Sequence, residues 1–347
     1  MEMQLNAVHA SFPEVPVAAH ELTHPICWPA RPAPAIHRFT FWGRGTALLG
    51  TILGNRILTI LTFGLYYFWG RAKVRRYLWE QVELDGDLVA FHGTGGELLL
   101  GWLKIRGVLL PLTIVYLLMR VTKERDAALV VSLLIVLIMA VLRPFALSGG
   151  RRYLLSRTSW RSIRFSYRGS TLRFAALYYG GILLCLLTLG FYIPFFLSST
   201  YSYLTRHSYY GSLRLGYDGK GRDLLGAYAK AFFLGFVTLG VSWFFFAAER
   251  IRYCIGHTTV GSLRLASTMS GGKLFRLTVW NILLWIVTLG FATPWIVVRS
   301  LRYQLENTVL HGDLAAALLE VQQQKRRAGA MADELADIAD MDLGLGF

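Results

Sequence analysis

The chain alternates between long apolar runs and short stretches in which polar or basic residues alternate with apolar ones. Residues 174–205, 231–248 and 277–298 contain no charged side chain, and each reaches the roughly 18 residues read as a membrane-crossing helix. Three further uncharged runs, 57–70, 107–119 and 127–142, fall short of the ~20 residues needed to cross ~30 Å of hydrocarbon. The last two are joined by a short charged link, which favours an antiparallel helical pair. Around the apolar runs lie short β-prone segments at 82–91, where Asp85-Gly86 gives a hairpin turn, and at 160–167, 212–217 and 262–267. The pattern predicts an α-helical multi-pass membrane protein with about six apolar helical segments.

A phrase recurs inside the apolar runs. Thr62-Phe63-Gly64, Thr188-Leu189-Gly190, Thr238-Leu239-Gly240 and Thr288-Leu289-Gly290 are each followed, thirteen residues after the Gly, by Tyr77, Tyr203, Tyr253 and Tyr303. Tyr153, Tyr203, Tyr253 and Tyr303 stand 50 residues apart, so the chain reads as ~50-residue repeats, each with apolar helix followed by a short β-strand or hairpin. The copy before Tyr153 has Ile138-Met139-Ala140 where the others have Thr-x-Gly. Strands this short are unstable alone and are expected to pair into a small sheet outside the bilayer. Alternating Ser, Leu, Arg, Leu would give it one apolar and one basic face. Residues 36–43 mix aromatic and basic side chains and suit either the bilayer interface or a short strand. The domains are then a flexible Pro-rich tail over 1–35, a repeat-built membrane domain over 36–312, and a C-terminal helix with an acidic tail over 313–347.

At the Thr-Leu-Gly phrases, Trp69, Pro294-Trp295, Arg299-Ser300-Leu301-Arg302-Tyr303 and Phe91-His92-Gly93-Thr94, the chain resembles the YjgN-like family of bacterial inner-membrane proteins. The resemblance covers about residues 39–312. It implies a multi-pass protein of the bacterial inner (cytoplasmic) membrane, and it supplies no activity and no catalytic residues.

Composition agrees with a membrane class, at 54% hydrophobic and 16% charged residues. The formal charge of +15 would suit nucleic acid, but the basic residues sit at the ends of apolar runs, where they face lipid phosphates or snorkel. Membrane lipids, anionic ones in particular, are the expected partner. Cys27, Cys185 and Cys254 have no metal-ligand spacing and indicate neither a disulfide framework nor a zinc site. With six alternate crossings, Lys and Arg divide almost equally between the two sides, against the positive-inside rule. One resolution is that several units are helical hairpins broken at Thr-x-Gly, entering and leaving by the same face, with Gly giving backbone freedom and Thr satisfying a freed carbonyl. The other is a continuous helix with Gly at a packing contact.

Arg76, Arg152, Arg252 and Arg302, each followed by Tyr77, Tyr153, Tyr253 and Tyr303, are candidates for binding lipid headgroups, or for plain interfacial anchoring. Asn55, Thr62, Gly64, Thr188, Gly190, Thr238, Gly240, Asn281, Thr288 and Gly290 are candidates for helix breaks or for lining a cavity. Arg56, Lys104, Arg106 and Lys230 lie near run boundaries, where they can snorkel. His92, His207, His257 and His311 lack metal-ligand spacing, and Gly93-Thr94-Gly95-Gly96 is not followed by the Lys of a phosphate-binding loop. Neither an enzyme nor a cofactor is indicated. Two functions remain: a transporter or channel for a small or amphipathic solute, with the Asn and Thr side chains around a common path, or a non-transporting scaffold or anionic-lipid-binding protein with a dry centre.

Overall fold

The computed structural model describes residues 35–324. The expected Pro-rich and acidic tails lie, apart from residues 35 and 313–324, outside the described residues. Within them the chain builds five units in succession, each a strand, two antiparallel helices and a returning strand. The first holds β1 (Ile36–Phe41), α1 (Gly45–Leu61), α2 (Tyr67–Trp79) and β2 (Val82–Leu84). Next come β3 (Asp87–Phe91), α3 (Gly95–Val121), α4 (Arg125–Ser156) and β4 (Thr158–Trp160). The third unit is β5 (Ile163–Tyr167), α5 (Thr171–Leu187), α6 (Ile193–Arg206) and β6 (Ser208–Tyr210). The fourth runs β7 (Leu213–Tyr217), a 3-10 turn (Gly221–Leu224), α7 (Leu225–Val237), α8 (Ser242–Gly256) and β8 (Thr258–Val260). The fifth is β9 (Leu263–Ser267), α9 (Gly271–Val287), α10 (Thr293–Glu306) and β10 (Thr308–His311), followed by helix α11 over residues 314–324.

The six-segment, multi-pass helical reading is overturned by this architecture. The runs 174–205, 231–248 and 277–298 are not single helices; each folds back on itself at Thr-Leu-Gly into two. The reason is local. Leu189 has φ 50° and Gly190 φ 92°. The Gly190 N–H then donates to the Cys185 carbonyl at 2.7 Å and the Leu189 N–H to the Leu186 carbonyl at 3.2 Å, the paired bonds that close a helix after a left-handed residue. The Thr188 hydroxyl donates back to the Leu184 carbonyl at 2.7 Å and accepts the Tyr192 N–H at 3.0 Å, capping the returning helix. Thr62, Thr238 and Thr288 make the same two bonds. Where Ile138-Met139-Ala140 stand instead, α4 continues unbroken for 32 residues. Among the described residues α4 is the one helix long and apolar enough to cross a membrane, and α3, bent by 51° between Gly107 and Leu109 shortly before Pro111, is the second candidate.

The strands do not form a small open sheet either. They close into a ten-stranded antiparallel barrel in the order β1-β10-β9-β8-β7-β6-β5-β4-β3-β2. The stretch at 36–41 is a strand, and it pairs on one side with β10 (Ile36↔His311) and on the other with β2 (Phe39↔Leu84). Closure removes the free edges that strands of three to six residues could not otherwise protect. Leu213 and Leu263 turn inward while Arg214 and Arg264 stay exposed, following the period of two. Val82, Leu84, Val89, Trp160, Tyr210 and Leu310 line the interior with them around an apolar cavity of about 220 Å³, and α11 lays Leu314, Ala317 and Val321 onto the same core. Burial pushes the Tyr210 phenol well above its ordinary range, so the hydroxyl stays protonated and donates to the Trp160 carbonyl at 3.2 Å.

Candidate membrane-facing site

All five helical hairpins leave the barrel at the end opposite its tight turns, and they form a ring. The helix α2 packs on α3, α4 on α5, α6 on the 3-10 turn before α7, α8 on α9, and α10 on α1. At four of the five seams close approach depends on glycine at the start of the following unit; at the α4–α5 seam Thr171 stands there and its hydroxyl bonds that of Ser148 at 3.3 Å. A Cβ on Gly45, Gly95, Gly221 or Gly271 would stand 2.4–2.6 Å from Trp295, Trp69, Phe195 or Phe245 of the preceding one.

The candidate Arg–Tyr pairs turn out to fasten this ring. Tyr77 accepts the Arg44 N–H at 3.0 Å and donates to its carbonyl at 3.1 Å, tying α2 to the start of α1. Tyr253 and Tyr303 do the same with Lys220 and Ser270. Tyr153 and Tyr203 donate to the carbonyls of Thr94 and Ser170. The arginines reach the next unit: Arg76 to the Gly93 carbonyl at 3.4 Å, Arg152 to Gly169 at 2.9 Å, and Arg302 to Gly43 at 3.0 Å, which joins the last unit to the first. The exposed Arg252 makes no such bond among the described residues; the corresponding position there is Met269. His207 and His257 stack on Tyr203 and Tyr253.

The candidate cavity residues do not converge. Asn55 donates to the Gly70 carbonyl at 3.1 Å and Asn281 to the Ser300 hydroxyl at 3.0 Å, each linking the two helices of its own hairpin. The Asn281 side-chain oxygen is buried without a partner among the described residues. Thr62, Thr188, Thr238 and Thr288, with Gly64, Gly190, Gly240 and Gly290, sit at four separate tips. The left-handed residue at each tip is apolar and bare, with Phe63, Leu189, Leu239 and Leu289 between 85% and 101% exposed.

A further order escapes inspection of the runs and emerges on counting from the first residue of each hairpin. Lys104 and Lys230 stand nine residues after Gly95 and Gly221, and Arg56 and Arg106 stand eleven after Gly45 and Gly95. At 1.5 Å per residue they share a level about 14–17 Å above the barrel rim. On the descending side Arg143 lies ten residues before Tyr153, at about the same height. Beyond this level the four short hairpins carry no charge, whereas the long one ends in Thr122-Lys123-Glu124-Arg125. That turn shares half of the plan, with Lys123 at φ 63° and the Thr122 hydroxyl donating to the Leu118 carbonyl at 3.1 Å, while α4 starts without a side-chain cap. It went unrecognised because Glu replaces Gly. Two large grooves open between helices around the basic level. One, of about 750 Å³, includes Asn55, Arg56 and Arg71. The other, of about 560 Å³, includes Arg71, Arg75 and Lys104.

A closed barrel crowned by a ring of helical hairpins with bare apolar tips defines a barrel-based class of apolar-hairpin protein. The chain belongs to the YjgN-like family: the model described as "Bacterial protein of unknown function (DUF898)" matches residues 36–249 and 231–338. It is 30% identical over 134 residues to the inner membrane protein YjgN of Escherichia coli (strain K12), covering 39% of this chain and 32% of that protein. The corresponding protein of Salmonella typhimurium is 29% identical over 137 residues, covering 40% and 33%. The matched part thus spans about a third of the length of these relatives. No solved structure matches.

Proposed function

We propose that the protein is an integral, non-transporting scaffold of the bacterial inner membrane that organises anionic lipid around its hairpin ring. The relatives named as inner membrane proteins support the location. The observation that carries the reading is the hairpin ring itself: apolar and exposed outside, with its turn and inter-helix polar groups engaged within each hairpin. Backbone groups that satisfy one another are what hydrocarbon demands. An axial path for a polar solute is disfavoured by the barrel interior, whose cavity of about 220 Å³ is lined by apolar and aromatic side chains and bordered by Leu314, Ala317 and Leu318 of α11.

The basic level of Arg56, Lys104, Arg106, Arg143 and Lys230 suits the headgroup plane. From it, the short tips at Thr62 and Thr238 reach about 9–12 Å into one leaflet, within or just beyond the depth of interfacial helices. From Arg143 to Arg125 α4 covers about 27 Å, close to the ~30 Å hydrocarbon thickness. The long hairpin therefore crosses and returns, while the other four enter and leave on the barrel side. Basic residues crowd that side, which supports a cytoplasmic barrel under the positive-inside rule.

The test is solute efflux from proteoliposomes holding the full chain. The expected result is leakage no faster than from protein-free vesicles. Efflux abolished by Asn281→Leu or Thr288→Val would instead establish a conducting path.

A further inference from the structure

We infer that the groove between α2 and the long hairpin is a binding site for the phosphate-bearing headgroup of an anionic phospholipid. This rests on the lipid-organising reading above and names where such a lipid sits. The groove, of about 560 Å³, is of the size that holds small ligands. Three cations line it, Arg71 and Arg75 one turn apart on α2 and Lys104 on α3. Its one carboxylate, Glu97, is already held by Arg157, whose Nε donates to it at 3.2 Å while the other guanidinium nitrogen makes a second bond. Among the described residues none of the three lining cations has an acidic partner, so the groove presents uncompensated positive charge.

The other walls are apolar. Ile105, Leu142 and Phe145 rise from the groove toward the bare flank of the long hairpin, and Gly101, Ala146, Gly149 and Gly150 keep it open. An anion at Lys104 and Arg71 would lie at or just beneath the basic level, with an acyl chain running up past Ile105 and Leu142. A free phosphate could use the cations but not that wall. Arginine suits the site because its planar fork matches phosphate oxygens in pairs.

The experiment is native mass spectrometry of the full chain in detergent, with phosphatidylglycerol or phosphatidylcholine added. The wild type retains phosphatidylglycerol in preference, and Arg71→Gln with Lys104→Gln lowers that retention about tenfold. Arg71→Lys with Lys104→Arg preserves it, as does Arg214→Gln at an exposed arginine on the barrel. Both groove positions are exposed, and an unchanged unfolding midpoint shows that the Gln pair folds. Retention unchanged in the Gln pair overturns the groove while leaving the lipid reading in place. A wild type that prefers neither lipid overturns both. Displacement of the lipid by millimolar inorganic phosphate reassigns the groove to a soluble anion and overturns the headgroup proposal.

Discussion

The hairpin of α5 and α6 and the hairpin of α3 and α4 start from the same barrel rim and turn through a left-handed residue that follows a Thr, yet their tips differ in character. Leu189 tips the first, 85% exposed; Lys123, flanked by Glu124 and Arg125, tips the second. The helices differ to match: 17 and 14 residues in the short hairpin, 27 and 32 in the long one. An apolar tip on a short hairpin and a charged tip on a long one each agree with where length puts them. On the proposed placement the first stops in hydrocarbon and the second emerges beyond it. The comparison teaches that a left-handed turn next to Thr closes both hairpins, while length and tip charge vary together.

The sharpest way to break this comparison is to exchange tip character. Leu239→Asp should destabilise the protein in nanodiscs by about 3 kcal/mol, the cost of a carboxylate held at depth, whereas Lys123→Asp should be nearly neutral. Equal shifts in the two unfolding transitions would put the short and long tips in the same environment. Next in size, Gly240→Val forces a β-branched residue to φ 88° and should cost about 1–2 kcal/mol. Glu124→Val, at φ −73°, should cost far less. Thr188→Val removes the hydroxyl that bridges two helices and should cost about 1 kcal/mol by the same assay. Smallest, Tyr303→Phe loses two bonds to Ser270 and Tyr153→Phe loses one to Thr94, so the first should lower the thermal midpoint more, each by about 1 kcal/mol or less. Labelling sharpens the topology. In a chain freed of native cysteines, Lys123→Cys should react from the periplasmic face, Arg214→Cys from the cytoplasmic face, and Leu239→Cys from neither.

Much of each unit was legible locally. Asp85-Gly86 does form the β2–β3 turn, and Thr-x-Gly does mark a place where the chain can bend, because turn chemistry depends on neighbours a few residues apart. The candidate roles were less legible. Tyr77 and Arg76 read as interfacial anchors, and nothing local shows that Tyr77 also bonds Arg44 and Arg76 bonds Gly93, positions 33 and 17 residues away. Arg302 is the extreme case, since its partner Gly43 lies 259 residues back in the chain. The basic level was hidden differently. Arg56, Lys104, Arg106 and Lys230 were each visible at a run boundary, but a common height appears only once each hairpin has a common starting point.

By itself the sequence determined the apolar content, the positions of the breaks, the alternation of the strand residues and the membership of the YjgN-like family. These follow from composition and from contacts within a few residues. Only the tertiary structure decided between the two readings left open at each Thr-x-Gly, a continuous helix or a full reversal into two paired helices. It also decided that the strands close into a barrel. Pairing β1 with β10 brings together residues from opposite ends of the described chain, and no local pattern encodes a partner at that separation.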